Sequence, residues 1–231
     1  MATDHQVDTR VAVNTSATTV PAVTAILALA AASWVIAVRQ LSQGMDMGVA
    51  TSLGSFAVFA VLWVPMTAAM MLPGAVRAVV SRARRDGGGR GVPLFVMSYL
   101  AVWALVGVAV YLLYRPHGTL TAGVVVIAAG VYEFTPLKHH FRRQCRENPD
   151  SGVTFGINCV GSSLGLMLML LALGVMSITW MVVLTVLGVV QKLLPARSGI
   201  DLPPALMIIA LGVLIIVAPA AVPGITPTMS M

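Results

Sequence analysis

Sulfur is the element of this chain that could do chemistry. The 231 residues include 14 methionines and two cysteines, Cys145 and Cys159. Met45, Asp46 and Met47 set two thioethers around a carboxylate in a short segment between apolar runs. Met70 and Met71 stand just before Pro73, and Trp63, Met66, Met70 and Pro73 recur at a spacing that puts them on one helix face. Cys159 heads an apolar run rich in methionine, and Cys145 shares a basic stretch with His139 and His140. Soft sulfur donors select copper(I), and a neutral thioether costs little to place in an apolar interior. The expected cargo is therefore copper(I) or a similar soft ion, taken near Met45, Asp46 and Met47 and held near Met70, Met71 and Cys159. Passage would proceed by ligand exchange, without redox or hydrolysis. Cys145, His139 and His140 are a further candidate group. Each candidate has a plainer reading: core packing for the methionines, small-residue packing for Cys159, and contact with lipid headgroups for the Cys145 stretch.

These side chains need a membrane scaffold. At 58% hydrophobic and 10% charged residues, with a mean hydropathy of +0.92, the chain is too apolar for an ordinary soluble surface. The predicted class is all-α, a polytopic transmembrane helical bundle in the cytoplasmic membrane. About seven spans are expected (six possible), at 20–38, 53–73, 93–114, 119–134, 155–174, 176–194 and 203–222. A polar tail, 1–19, is expected to be disordered, and a short external tail, 223–231, closes the chain. Ala28, Leu29 and Ala30 resemble a signal-cleavage site, but the long leader carries Asp4 and Asp8 beside Arg10, which favours a retained span.

The segment 152–195 reads as a hairpin of spans five and six with a tight break at 174–177. Gly152, Gly156, Gly161 and Gly165 are spaced for close helix packing. Pro65 should kink span two and free a carbonyl that neighbouring groups must satisfy. Asp201 and Pro203 mark the start of the last span. With seven spans, twelve Lys and Arg fall on one side and only Arg39 and Arg115 on the other, which makes the N-terminus cytoplasmic. The segments 77–90 and 135–150 read as basic loops. The net charge of +6 then reflects loops that meet anionic lipid, and nucleic acid is not an expected partner. With both cysteines on the reducing side, no disulfide is expected.

The absences are also informative. There is no phosphate-binding glycine loop, no paired catalytic carboxylates, no HExxH and no hydrolytic triad, so no enzymatic activity is expected. Apart from Lys192, counted with the loop that closes span six, only Glu133 within the spans is an acid or base, expected to pair with Lys138 or a nearby arginine. Proton-coupled pumping therefore has little to work with.

The residues also carry a resemblance. Gly-Met-Asp-Met-Gly at 44–48, Ala-Met-Met-Leu-Pro at 69–73, Thr-Pro-Leu-Lys at 135–138 followed by Cys145-Arg146, and Cys159 with Gly161 ahead of the methionines of spans five and six occur in one order. Together they resemble a bacterial family described as predicted metal-binding integral membrane proteins of unknown function. The resemblance covers about 34–195. It implies a six- or seven-span helical protein with a role toward a metal, often taken as copper. Where that pattern carries further cysteines, this chain has Phe141, Ser162 and Ser163, and the usual Glu-Lys that closes span six is Gln191-Lys192. The alternative to metal handling is a structural or assembly subunit whose Gly161 face packs on a partner span. A membrane-embedded metal oxidase subunit ranks third.

Overall fold

The computed structural model describes residues 2–42, 54–86, 91–147, 151–173, 178–193 and 198–222. Among them are eight helices: α1 (Ala2–Ser42), α2 (Phe56–Arg85), α3 (Gly91–Leu113), α4 (Thr119–Glu133), α5 (Pro136–Glu147), α6 (Gly152–Leu173), α7 (Ile178–Leu193) and α8 (Ser198–Val217), followed by a 3₁₀ turn at Pro219–Ala221. The all-α class is as expected. Four helical stretches are long and apolar enough to cross a bilayer: Thr19–Gln40, Phe56–Arg85, Gly91–Leu113 and Gly152–Leu173. A fifth arises if the bent pair α4 and α5 counts as one span. The apolar parts of α7 and α8, Ile178–Lys192 and Leu202–Val217, are shorter than that.

The helices depart from the expected boundaries in several places. α1 extends upstream of residue 20 to Ala2, because a helix, once nucleated, propagates at small cost through residues of ordinary propensity. α2 does not stop at Pro73 but runs to Arg85, so most of the expected basic loop at 77–90 is helix. α8 starts at Ser198 and carries Pro203 and Pro204 inside it. The 174–177 break, the Met45, Asp46 and Met47 segment and the tail 223–231 lie outside the described residues.

The entry to α2 shows why it starts where it does. Gly54 takes a positive φ of 67°, which favours glycine. Ser55 then caps the helix, its side chain accepting from Val58 N. Pro65 leaves the Val61 carbonyl without its helical donor, and the Gln40 side-chain amide of α1 points at that oxygen from 3.5 Å. The face holding Trp63, Met66 and Met70 is buried, as its spacing predicts. Trp63 Nε1 donates to the Trp103 carbonyl of α3 at 3.0 Å.

The second basic loop is replaced by a helix. Thr135 precedes a proline, which disfavours helical geometry there, and Pro136 suits a first helical turn. The Thr135 hydroxyl accepts from Lys138 N at 3.4 Å, and α5 leaves α4 at an angle of 62°. With Lys138, His139, His140, Arg142, Arg143 and Arg146 in twelve residues, α5 is too polar to span lipid by itself.

α6 is the hub, packed against α3, α4, α5 and α7, while α2 contacts α1, α3 and α7, and α8 packs on α4. Glycines make this closeness possible. A Cβ at Gly152 would strike the Phe95 carbonyl and the Ser98 hydroxyl of α3, and one at Gly156 would meet Val102 at 2.9 Å. At Gly165 it would lie 2.9 Å from the Ala129 carbonyl of α4. Gly161 lies under the Phe141 ring of α5, and its carbonyl accepts from Tyr132 Oη at 2.8 Å. The Gly161 face is thus covered by this chain's own helix, which corrects its reading as a docking face for a partner span. Gly161→Leu should overpack this contact and destabilise the protein by about 1–3 kcal/mol. Unfolding in detergent measures the cost, and a neutral result would mean that Phe141 is free to move aside.

Candidate metal centre

Cys159 is fully buried in the middle of the hub helix. Three helices bring polar or soft groups to it. From α7, Lys192 Nζ lies 2.9 Å from Cys159 Sγ and 3.8 Å from Met71 Sδ of α2. From α3, Tyr99 Oη lies 3.3 Å from Cys159 Sγ and donates to the Met71 carbonyl at 3.4 Å. An ammonium thus sits between a thiol and a thioether. Beside it is a small cleft lined by Met70, Met71, Met167, Ser163 and Lys192, among others. Three thioethers line this cleft, and Lys192 joins it to the cysteine.

On its other side Lys192 reaches the floor of a larger cavity, about 430 Å³, open at one end of the bundle. Cys145 and Ser162 share that floor, while Arg77, Arg85, Arg142, Arg143 and Arg146 line the walls and Glu147 is the only acid among the described lining residues. Cys145 is half-buried. Burial, reinforced by the neighbouring Cys159, pushes its thiol up to about 12, against the opposing pull of Lys192 and a hydrogen bond with Ser162.

A second polar cluster lies one residue along α7. Glu133 and Lys138 form a salt bridge, both essentially without solvent exposure. Gln191 completes it: Lys138 Nζ donates to Gln191 Oε1 at 3.0 Å and Gln191 Nε2 donates to Glu133 Oε2 at 2.8 Å. The expected Glu133–Lys138 pairing is present. It is buried between helices and not exposed at an interface. The remaining carboxylate oxygen, Glu133 Oε1, is buried with no hydrogen-bond partner.

The structure sorts the sequence candidates. It brings Cys159, Met70 and Met71 together around Lys192 and sets Cys145 at the cavity floor beyond. His139 is half-buried and His140 exposed on α5, and neither is among the residues lining the two cavities. No group of three or more His, Cys, Asp or Glu suited to a metal occurs among the described residues. Lys192, Tyr99 and Met167 were not foreseen. Lys192 had been counted as loop charge, and only its position on an apolar helix hints otherwise. Phe141, Ser162 and Ser163 take separate places: Phe141 covers Gly161, Ser162 lines the larger cavity with Cys145, and Ser163 lines the thioether cleft.

The membrane-length apolar helices define a multi-pass membrane protein. Residues 60–215 match the PpoB2 family, described as copper chaperone. That match spans more than half of the chain, and the chain belongs to this family. Neither the curated proteins nor the solved structures provide a match.

Proposed function

We propose that the chain receives copper(I) in the membrane and holds it between α2, α6 and α7, with Cys159 Sγ and Met71 Sδ as ligands and Met70 and Met167 as neighbouring thioethers for exchange. The observation that carries this reading is the place of the Lys192 ammonium. A cation already lies between a thiol and a thioether, and a soft cation would find there the donors that suit it. Copper is the cargo, so Lys192 has to withdraw as the ion arrives, and the adjoining cavity gives it room. Cys145, which lines the adjoining cavity, serves as a way-station.

The same reading keeps seven spans and a cytoplasmic N-terminus. It is supported by the meeting of arginines from the ends of α2 and α5 with Lys192 of α7 around one cavity, as expected if those segments share the positive side of the bilayer. α7, with 16 residues, would extend about 24 Å as a helix. It crosses by packing on α2 and α6 where the bilayer thins.

Anaerobic copper(I) titration of the purified protein against a competing chromophoric chelator, with X-ray absorption of the loaded form, tests the proposal. The expected result is a single tightly held ion in a shell of sulfur. Affinity no better than micromolar, or a shell of nitrogen and oxygen, overturns it.

A further inference from the structure

The cavity above the sulfur site is poorly matched to a bare cation. Five arginines and Lys192 line it, drawn from α2, α5 and α7, against Glu147 alone among the described lining residues. Like charges a few ångströms apart repel by roughly 1 kcal/mol per pair even in water, and by more where the dielectric is lower. A site whose purpose is to admit free Cu⁺ would carry the opposite sign. The cavity volume, about 430 Å³, falls within the range of pockets that enclose small organic ligands. Its floor also holds Lys192, whose amine touches Cys159, so a ligand seated there has its inner end next to the proposed copper ligands.

We propose that this cavity binds an anionic, carboxylate-bearing thiol of about tripeptide size that delivers copper(I) as a two-thiolate complex. The inference rests on the copper reading above and supplies its substrate class. In a reducing solution copper(I) is held by thiolates, and two thiolates on Cu⁺ leave one net negative charge, to which the carrier's carboxylates add. Arginine pairs with carboxylates through two parallel hydrogen bonds. In the exchange, Cys159 Sγ bonds to copper while its proton passes to one carrier sulfur, whose bond to copper breaks and which leaves as a neutral thiol. Met71 Sδ then displaces the second carrier sulfur, which departs as a thiolate with its negative charge, leaving copper neutralised by Cys159. Copper stays in the +1 state throughout.

The test uses the full chain in nanodiscs of neutral phosphatidylcholine, loaded anaerobically from two donors: the anionic copper(I)–glutathione complex and the cationic copper(I)–acetonitrile complex. Arg77→Glu combined with Arg146→Glu, both at exposed positions, is compared with wild type. Loading from glutathione should slow at least about 10-fold, the lower end of electrostatic steering, and loading from acetonitrile should not slow. The final copper content should equal that of wild type, which also shows that the variant is folded. Copper-free S-methylglutathione, which has no thiol to offer, should bind the wild type by calorimetry and not the variant. Equal slowing with both donors, unchanged glutathione loading, or no binding of S-methylglutathione overturns the proposal. So does loss of that binding in discs containing phosphatidylglycerol, which would make the cavity a lipid-headgroup site. If neither donor loads the wild type, the copper reading fails, while binding of S-methylglutathione still reports on the cavity.

Discussion

Cys159→Ser should weaken copper(I) binding by at least about 100-fold. Changing a residue that merely supports a metal ligand costs about 10–100-fold, and this substitution removes the one buried thiol of the site. Serine keeps the size and the contact with Tyr99 but offers a hard, neutral oxygen to a soft ion. Met71→Leu should cost less, about 10-fold, because Met70 and Met167 line the same cleft and a thioether carries no charge to lose. Cys145→Ser should leave the final affinity near that of wild type, since Cys145 lies on the cavity floor and not among the residues lining the thioether cleft. Chelator competition on the three variants measures this ranking. Equal effects from all three would place the ion elsewhere.

Lys138→Met should be the most destabilising single change in the bundle. It strands the Glu133 carboxylate, already buried and with one oxygen lacking a hydrogen bond among the described residues, with the Gln191 amide still donating to the other oxygen. Breaking a buried pair from one side typically costs about 3–5 kcal/mol, whereas replacing both partners is often nearly neutral. Adding Glu133→Gln to Lys138→Met should restore most of the stability. Unfolding of the single and double variants in one detergent checks the order. A double variant no better than the single would mean that the pair adds stability beyond mutual compensation.

The pattern of apolar runs and basic gaps was enough to expose the class. Where it misled, charge was the cause. Lys138, Arg142 and Lys192 were assigned to loops because cations are costly in lipid, yet a lysine can lie inside a bundle once a carboxylate, an amide or a sulfur meets it. The α5 helix was legible in principle, from Thr135 and Pro136 at its start, but its density of cations outweighed that local signal. At the site, residue type pointed to Cys159, Met70 and Met71, whose meeting depends on the α2–α7 and α6–α7 crossings, and no spacing within one segment encodes those. Tyr99 could not be singled out by any local pattern, since only the α3–α6 packing turns its hydroxyl toward the thiol. His139 and His140 were attractive as donors by chemistry alone, and geometry leaves them on α5 away from the sulfur cleft.

The notches cut into α6 by its glycines bear on the order in which the chain can be assembled. Three of the helices seated against α6, namely α3, α4 and α5, precede it in the chain. During synthesis their inner faces stay uncovered until the later helix arrives. The Glu133–Lys138 pair then waits for Gln191, and Tyr99 for Cys159. Folding therefore finishes late and nearly all at once: the polar groups that would be most costly to leave facing lipid receive their last partners from the final third of the chain.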